Sequence, residues 1–226
     1  MTPAELRQCG FDIDDDAHGR LARFVERLLD ENTRVNLSGI RDSASVWALH
    51  VCDSLALLTA LDAEAACDVL DLGTGGGVPG LPLACCRPRM RFTLVDATRK
   101  KVAAVERIAA GLALSNVACV WGRAEALAHV PEHRERFDAL VARAVAPLPE
   151  LLEFSSGFVR VGGACWFAKS VAAELDEAPR AAAVAERCAL RLDRFVRYRL
   201  PANHGERLLL RYEKTAPLAA RLPHHG

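Results

Sequence analysis

Apolar positions recur at helical spacing near the start of the chain. Between Asp15 and Asn32, Leu21, Phe24, Val25, Leu28 and Leu29 share one side of a 3.6-residue repeat, which predicts an amphipathic surface helix. A second helix is expected over Ser45–Leu61, where Val46, Leu49, Val51, Leu55, Leu58 and Leu61 are apolar, and N-L-S-G-I-R-D (36–42) between the two carries turn chemistry. From residue 67 the pattern changes to short apolar runs. C-D-V-L-D-L (67–72), R-F-T-L-V-D (91–96), N-V-A-C-V-W (116–121), F-D-A-L-V-A-R (137–143) and V-G-G-A-C-W-F-A-K (161–169) read as strands. Helices separate them: one opening at L-P-L-A-C-C (81–86), one from Arg99 to Leu114, and one through Leu151, Leu152 and Phe158. Such alternation predicts an α/β fold with a mostly parallel sheet covered on both faces. R-F-V-R-Y-R-L (194–200) and R-L-L-L-R-Y (207–212), joined by P-A-N-H-G-E, add a C-terminal antiparallel hairpin and bring the sheet to seven strands. The expected organisation is an N-terminal helical extension (1–64), a sheet domain (65–213) and a frayed tail (214–226).

Composition narrows the class. Of 226 residues, 51% are hydrophobic and 26% charged, a globular profile. No apolar run approaches the roughly 18 residues of a bilayer span, and Met1–Gly10 lacks the apolar core of a signal peptide. A cytoplasmic chain with no membrane partner is expected. The eight cysteines are scattered, apart from adjacent Cys85 and Cys86, and no C-x-x-C pair exists. That spacing supports neither a zinc site nor a thioredoxin-like centre, so reduced core cysteines and no metal are expected. Lys and Arg balance Asp and Glu at 29 each, but unevenly along the chain. Residues 1–31 hold eight acidic against four basic side chains, 87–101 six basic against one acidic, and 186–214 eight basic against four acidic. A neutral chain arranged so can still present a positive face.

The candidate chemistry lies in D-L-G-T-G-G-G-V-P-G (71–80), which holds five of the fifteen glycines. A strand, a glycine-rich turn and a helix bring backbone N–H groups close to a ligand at the carboxyl edge of a sheet. Gly75, Gly77 and Gly80 satisfy the dinucleotide spacing G-x-G-x-x-G, with Asp96 about 20 residues on. The run is also D-x-G-x-G-x-G, and in this it resembles the first motif of the Rossmann-like class I S-adenosylmethionine methyltransferases. Asp71 would repel a pyrophosphate but suits a sulfonium amino acid, which favours the methyl donor over a nicotinamide cofactor. Asp96 then suits the ribose hydroxyls, or simply caps the next helix. Arg123-Ala124-Glu125 would meet the adenine, or begin a helix.

Two absences narrow the acceptor. No N/D-P-P-aromatic tetrapeptide follows the fourth strand, which ends A-R-A-V-A-P-L (142–148), and no cysteine sits beside proline as a cytosine nucleophile would. A ring nitrogen such as guanine N7 is already nucleophilic and needs no general base, so catalysis reduces to desolvation and alignment. Arg99, Lys100 and Lys101 open a helix, where they oppose its dipole, a local rule broken at the edge of a site. Arg143 and Lys169 end strands on the same edge, where an arginine can engage guanine and a lysine a phosphate.

These stretches together, with N-L-S-G-I-R-D (36–42), H-V-C-D-S-L (50–55), D-L-G-T-G-G-G-V-P-G-L-P-L (71–83), F-T-L-V-D (92–96) and A-R-A (142–144), resemble the RsmG family, also called glucose-inhibited division protein B. Its members are small-subunit ribosomal RNA guanine-N7 methyltransferases, and the likeness runs from about residue 20 to 212. It implies methylation of one guanine in 16S ribosomal RNA, as naked RNA or in the small subunit, and nothing in the sequence demands more than a monomer. It places the donor at Gly73, Val78, Ala124, Glu125 and Arg143, with Asp71, Gly75, Gly77 and Asp96 implied by the wider fold. RNA contacts are expected at Arg41, Arg99, Lys100, Lys101, Arg123, Lys169 and Arg207, with Arg143 and Lys169 positioning the substrate. His50 and Asp53 match an H-x-x-D-S pattern that suits either a structural pair or an RNA contact. Ser170 stands where the family has glycine, and Leu208 where it often has histidine. Rival readings are a methyltransferase of the same fold acting on another RNA, a protein or a small molecule, and a silent RNA-binding module.

Overall fold

The computed structural model describes residues 1–63, 65–170 and 180–224. Their strands are β1 (Asp68–Leu72), β2 (Arg91–Asp96), β3 (Val117–Trp121), β4 (Phe137–Arg143), β5 (Val159–Ser170), β6 (Leu190–Arg199) and β7 (Glu206–Lys214). They form one sheet in the order β3-β2-β1-β4-β5-β7-β6. β3, β2, β1, β4 and β5 run parallel, and β7 is antiparallel to both β5 and β6.

Period-two alternation divides the core between the two faces. Val69, Leu94, Val141 and Trp166 belong to one cluster, and their neighbours Leu70, Val95, Leu140 and Phe167 to the other. The first cluster is covered by α1 (Pro3–Gln8), α2 (Asp15–Arg34), α3 (Ser43–Val46), α4 (Asp53–Leu55), α5 (Leu58–Ala63), α6 (Gly80–Cys86) and α7 (Arg99–Gly111). Over the second lie α8 (Ala124–Leu127), α9 (Leu148–Ser156) and the helical residues 180–187. Five of the cysteines are buried, and all eight are free thiols.

The N-terminal helices share the first cluster with the sheet, so they are part of its packing. The Asp14 carboxylate caps α2, accepting from the Ala17 N–H at 2.6 Å, and Asp15 and Asp16 complement the helix dipole. At the far end of α2, the Glu31 carboxylate accepts two bonds from Arg107 of α7, at 2.9 and 2.6 Å. Asn32 fixes the next loop: its amide donates to the carbonyls of Ser38 and Ile40 and accepts from the N–H groups of Leu37 and Ser38.

Between α3 and α4 the chain winds through a wider π-helical stretch, Trp47–Cys52, a local irregularity often found at functional sites. The whole helical run Ser43–Asp62 is long and apolar enough to cross a membrane by length and composition, which the sequence reading did not anticipate. Most of it is buried: Val46, Val51, Leu55 and Leu61 lie in the core.

Residues 215–224, expected as a frayed tail, are docked, while 225 and 226 lie outside the described residues. Leu218 and Leu222 are buried, and the Arg134 guanidinium donates to the carbonyls of Leu218, Ala219 and Leu222. Lys214, wholly buried at the end of β7, donates to the Ser156 carbonyl and sits 3.1 Å from the Glu135 carboxylate.

Candidate active site

β1 ends at Leu72, and the chain turns through the glycine run before α6. Gly73 has φ +69°, and a Cβ there would come within 2.6 Å of Val145. At Gly80 a Cβ would lie 2.7 Å from Asp71 Oδ2. That oxygen accepts from the Thr74 hydroxyl at 2.6 Å and from the Gly80 N–H at 2.8 Å, while Oδ1 is buried with no partner. Burial pushes the Asp71 carboxyl up to about 6, against the pull of its two donors. Asp71 therefore grips the loop from behind. On its outer side the loop is pinned to β2: the Thr74 N–H donates to the Val95 carbonyl and the Gly75 N–H to Asp96 Oδ2, both at 2.9 Å. Asp96 Oδ1 accepts from the Thr98 N–H at 2.7 Å, so one carboxylate joins the glycine turn to the start of α7.

Above this loop opens a cavity of about 560 Å³, the size of a small-molecule site. Gly73, Gly75, Val78 and Asp96 line it, with Ala124 and Glu125 from α8, and with Leu28, Leu37, Ser38 and His50 from the N-terminal helices and their loop. A second cavity of about 520 Å³ adjoins it, lined by Leu49, Asp53, Lys169, Ser170 and Arg207. His50, Arg143 and Ala144 belong to both.

Arg143 is thus the dividing wall, held by three residues of the π-helical stretch and α4. Its Nη1 donates to Asp53 Oδ2 and to the Leu49 carbonyl, both at 2.7 Å, and its Nη2 lies 2.8 Å from His50 Nδ1. A guanidinium only donates, so His50 Nδ1 must accept and the proton sits on Nε2, which donates to Ser38 Oγ at 2.8 Å. Burial and the neighbouring Arg143 charge lower the His50 pKa to about 4, consistent with that neutral ring. The other Asp53 oxygen accepts from the Tyr198 hydroxyl of β6, whose own ionisation burial and Asp53 push upward. Ala144, next to Arg143, has φ +54°, a strained conformation for a residue with a Cβ. Lys169 is buried and donates to the Ala146 carbonyl at 2.8 Å.

Of the donor residues expected from the sequence, Gly73, Gly75, Val78, Asp96, Ala124, Glu125 and Arg143 line the first cavity. Asp71 and Gly77 do not: Asp71 lies behind the loop, and Gly77 has φ +84° in the turn into α6. Among the expected RNA residues, Lys101 and Arg123 reach the first cavity and Lys169 and Arg207 the second, while Arg41, Arg99 and Lys100 are exposed outside both. Thr74, Ser38 and Tyr198 were missed. The first two stand inside motifs already read as significant, whereas nothing local marks Tyr198.

The first cavity suits S-adenosylmethionine. Its floor is glycine backbone, where a Cβ at Gly73 would run into Val145, and acidic Asp96 and Glu125 stand among its lining residues. An open sheet takes its ligand at this carboxyl edge, and a strand order with an antiparallel β7 between β5 and β6 is that of the class I S-adenosylmethionine-dependent methyltransferases. The profile of the family described as rRNA small subunit methyltransferase G matches residues 17–200. A ribosomal RNA small subunit methyltransferase G from Deinococcus radiodurans is 39% identical over 231 residues, covering 99% of this chain and 90% of that one. The chain belongs to the rRNA small subunit methyltransferase G family, whose members are S-adenosylmethionine-dependent enzymes. Among solved structures, a putative O-methyltransferase from Klebsiella pneumoniae shares the fold with a TM-score of 0.59 at 13% identity, over 85% of this chain and 90% of that one. Aeropyrum pernix fibrillarin, solved with natively bound S-adenosyl-L-methionine, does so with a TM-score of 0.51 at 16% identity, over 64% and 65%.

Proposed function

We propose that this enzyme methylates N7 of a single guanine in the 16S RNA of the small ribosomal subunit, acting as a cytoplasmic monomer. The donor belongs in the first cavity, over Gly73–Gly75, with Asp96 toward its ribose and Ala124–Glu125 toward its adenine. The guanine belongs in the second, beside Lys169, Ser170 and Arg207. When bound, S-adenosylmethionine supplies an electrophilic methyl on sulfur; the N7 lone pair forms the new bond as the C–S bond breaks, and no proton moves.

What carries this reading is the state of the two side chains that could serve as a base at the shared wall. His50 Nδ1 is occupied by Arg143, and the Asp53 oxygens by Arg143 and Tyr198. An acceptor that must lose a proton finds no base there, whereas N7 needs none. Arg143 works from a neutralised position: its charge is matched by Asp53, so a cationic donor meets a net-neutral pair. The wall's fixed donors and the enclosing apolar residues exclude water and align the base, which is the catalytic contribution left to the protein.

The test is methyl transfer from labelled S-adenosylmethionine to unmodified small subunits and to their naked RNA, with the product mapped by cleavage at N7-methylguanosine. One labelled guanine is expected. Label on an exocyclic amine, on a ribose or on protein would overturn the assignment, and donor binding without transfer to any RNA would leave the first cavity correctly read and the acceptor wrong.

A further inference from the structure

Trp121 ends β3 and is 57% exposed, the second most exposed large hydrophobic side chain among the described residues. It is nonetheless held in place. Its indole N–H donates to the Ala97 carbonyl at 3.0 Å, and the Arg99 guanidinium lies over the ring, 5.5 Å from its centroid. Trp121 stands opposite Asp96 in the pairing of β2 with β3, yet it does not line the donor cavity. Arg99 is followed by Lys100, both exposed in the first turn of α7, a turn with no acidic residue, and exposed Arg123, paired with Glu125 at 3.4 Å, lies two residues beyond Trp121 in the chain.

A fixed, exposed aromatic plane topped by a guanidinium and flanked by cations has the chemistry of a stacking site for unpaired nucleic-acid bases. Apolar packing against a protein does not call for so much positive charge at the rim. Keeping Arg99, Lys100 and Lys101 in the first turn of α7 has a cost that a polyanion offsets. Position agrees. β3 and β5 are four strand spacings apart in the sheet, about 19 Å, so the platform and Lys169 lie on one edge within reach of a short single strand.

We propose that the Trp121–Arg99 pair is a docking platform on which a base of the RNA substrate, a few nucleotides from the methylated one, stacks. This inference rests on the reading of RNA as the substrate. Because Trp121 is exposed, Trp121→Ala is expected to fold normally. With naked 16S RNA and labelled S-adenosylmethionine, it should raise KM for RNA about tenfold, leaving kcat and donor affinity unchanged, while Trp121→Phe restores most of the loss. Trp47 and Trp166 are buried, so quenching of tryptophan fluorescence by RNA should report on Trp121 and vanish in Trp121→Phe. Wild-type KM in Trp121→Ala would overturn the platform, as would weakened donor binding, which would assign Trp121 to the adenosine. So would equal rescue by leucine, which points to apolar packing. A wild-type enzyme that methylates no RNA defeats the functional reading instead. The platform for a substrate base then falls with it, whereas wild-type KM in Trp121→Ala with RNA methylation intact overturns the platform alone.

Discussion

His50 and Asp71 are shifted in directions that give opposite pH dependences. Burial beside Arg143 lowers His50 from 6.5 to about 4, so the unfolded chain takes up its proton first. Stability from this group is complete above pH 6.5 and is lost as pH falls through about 4, a change of about 3 kcal/mol. Asp71 is raised from 3.8 to about 6, so its contribution is complete below pH 3.8 and is lost, again by about 3 kcal/mol, as pH rises through 6. The two oppose one another between pH 4 and 6. His50→Asn keeps an acceptor toward Arg143 but cannot ionise, so relative to wild type it should gain about 2 kcal/mol between pH 7.5 and 4.5 in urea unfolding. Asp71→Asn should show the reverse, gaining on wild type as pH rises from 4 to 7. Parallel pH profiles for either variant and wild type would remove that residue from the account. Asp71→Asn should also weaken donor binding, because the loop depends on both bonds to Oδ2.

Elements far apart in sequence meet at Arg143, and the cost of cutting each tie differs. Tyr198→Phe removes a hydroxyl and leaves one Asp53 oxygen unpaired, an expected loss of 1–3 kcal/mol with roughly matching falls in thermal stability. Asp53→Asn strips the counter-charge from a guanidinium only 15% exposed, and about 3–5 kcal/mol should be lost together with most activity. If Asp53→Asn proves no worse than Tyr198→Phe, then Arg143 is not held as an ion pair. The C-terminal segment offers a simpler measurement: deleting residues 216–226 uncovers the sites of Leu218 and Leu222. It should cost about 3–6 kcal/mol of unfolding free energy while sparing the donor cavity. Most of the elements were legible in the sequence because apolar spacing reports which faces are covered, and the glycine run because glycine at such density has a backbone reason. α1, six residues long, is too short for a periodic signal, and the π-helical stretch has no local mark. The docked tail depends on Arg134 reaching carbonyls 84 to 88 residues away, and Tyr198 meets Asp53 across 145. Asp71 shows the limit most plainly: the motif gives its position at the strand end, but only packing decides that its carboxylate turns behind the loop.

At the scale of the whole molecule, pairing decides which of the basic stretches can meet a polyanion. Arg87 and Arg91 are matched by Asp62 and Asp68. On the hairpin, Arg191 pairs with Glu213, Arg197 and Arg199 share Glu206, and Arg211 pairs with Asp193. Each of these hairpin arginines therefore has an acidic neighbour, although the stretch as a whole keeps eight basic side chains against four acidic ones. Among the described residues Arg41, Arg99, Lys100, Lys101 and Arg207 form no salt bridge, and they are distributed around the two cavities and the Trp121 platform. A chain of zero formal charge can thus bind RNA through a local field, provided these cations and not the hairpin arginines meet phosphate. With about five such contacts, log K for single-stranded RNA should fall with log salt at a slope near −3.5, about a hundredfold between roughly 50 and 200 mM. Lys100→Ala should reduce the slope by about 0.7 and leave donor affinity untouched, because its side chain lies outside the donor cavity. The double change Arg197→Ala with Arg199→Ala removes two charges against that one, yet should leave the slope where it was. If the hairpin variant flattens the salt dependence and Lys100→Ala does not, the RNA path crosses the β6 edge, and the cavity rim is not the surface that holds it.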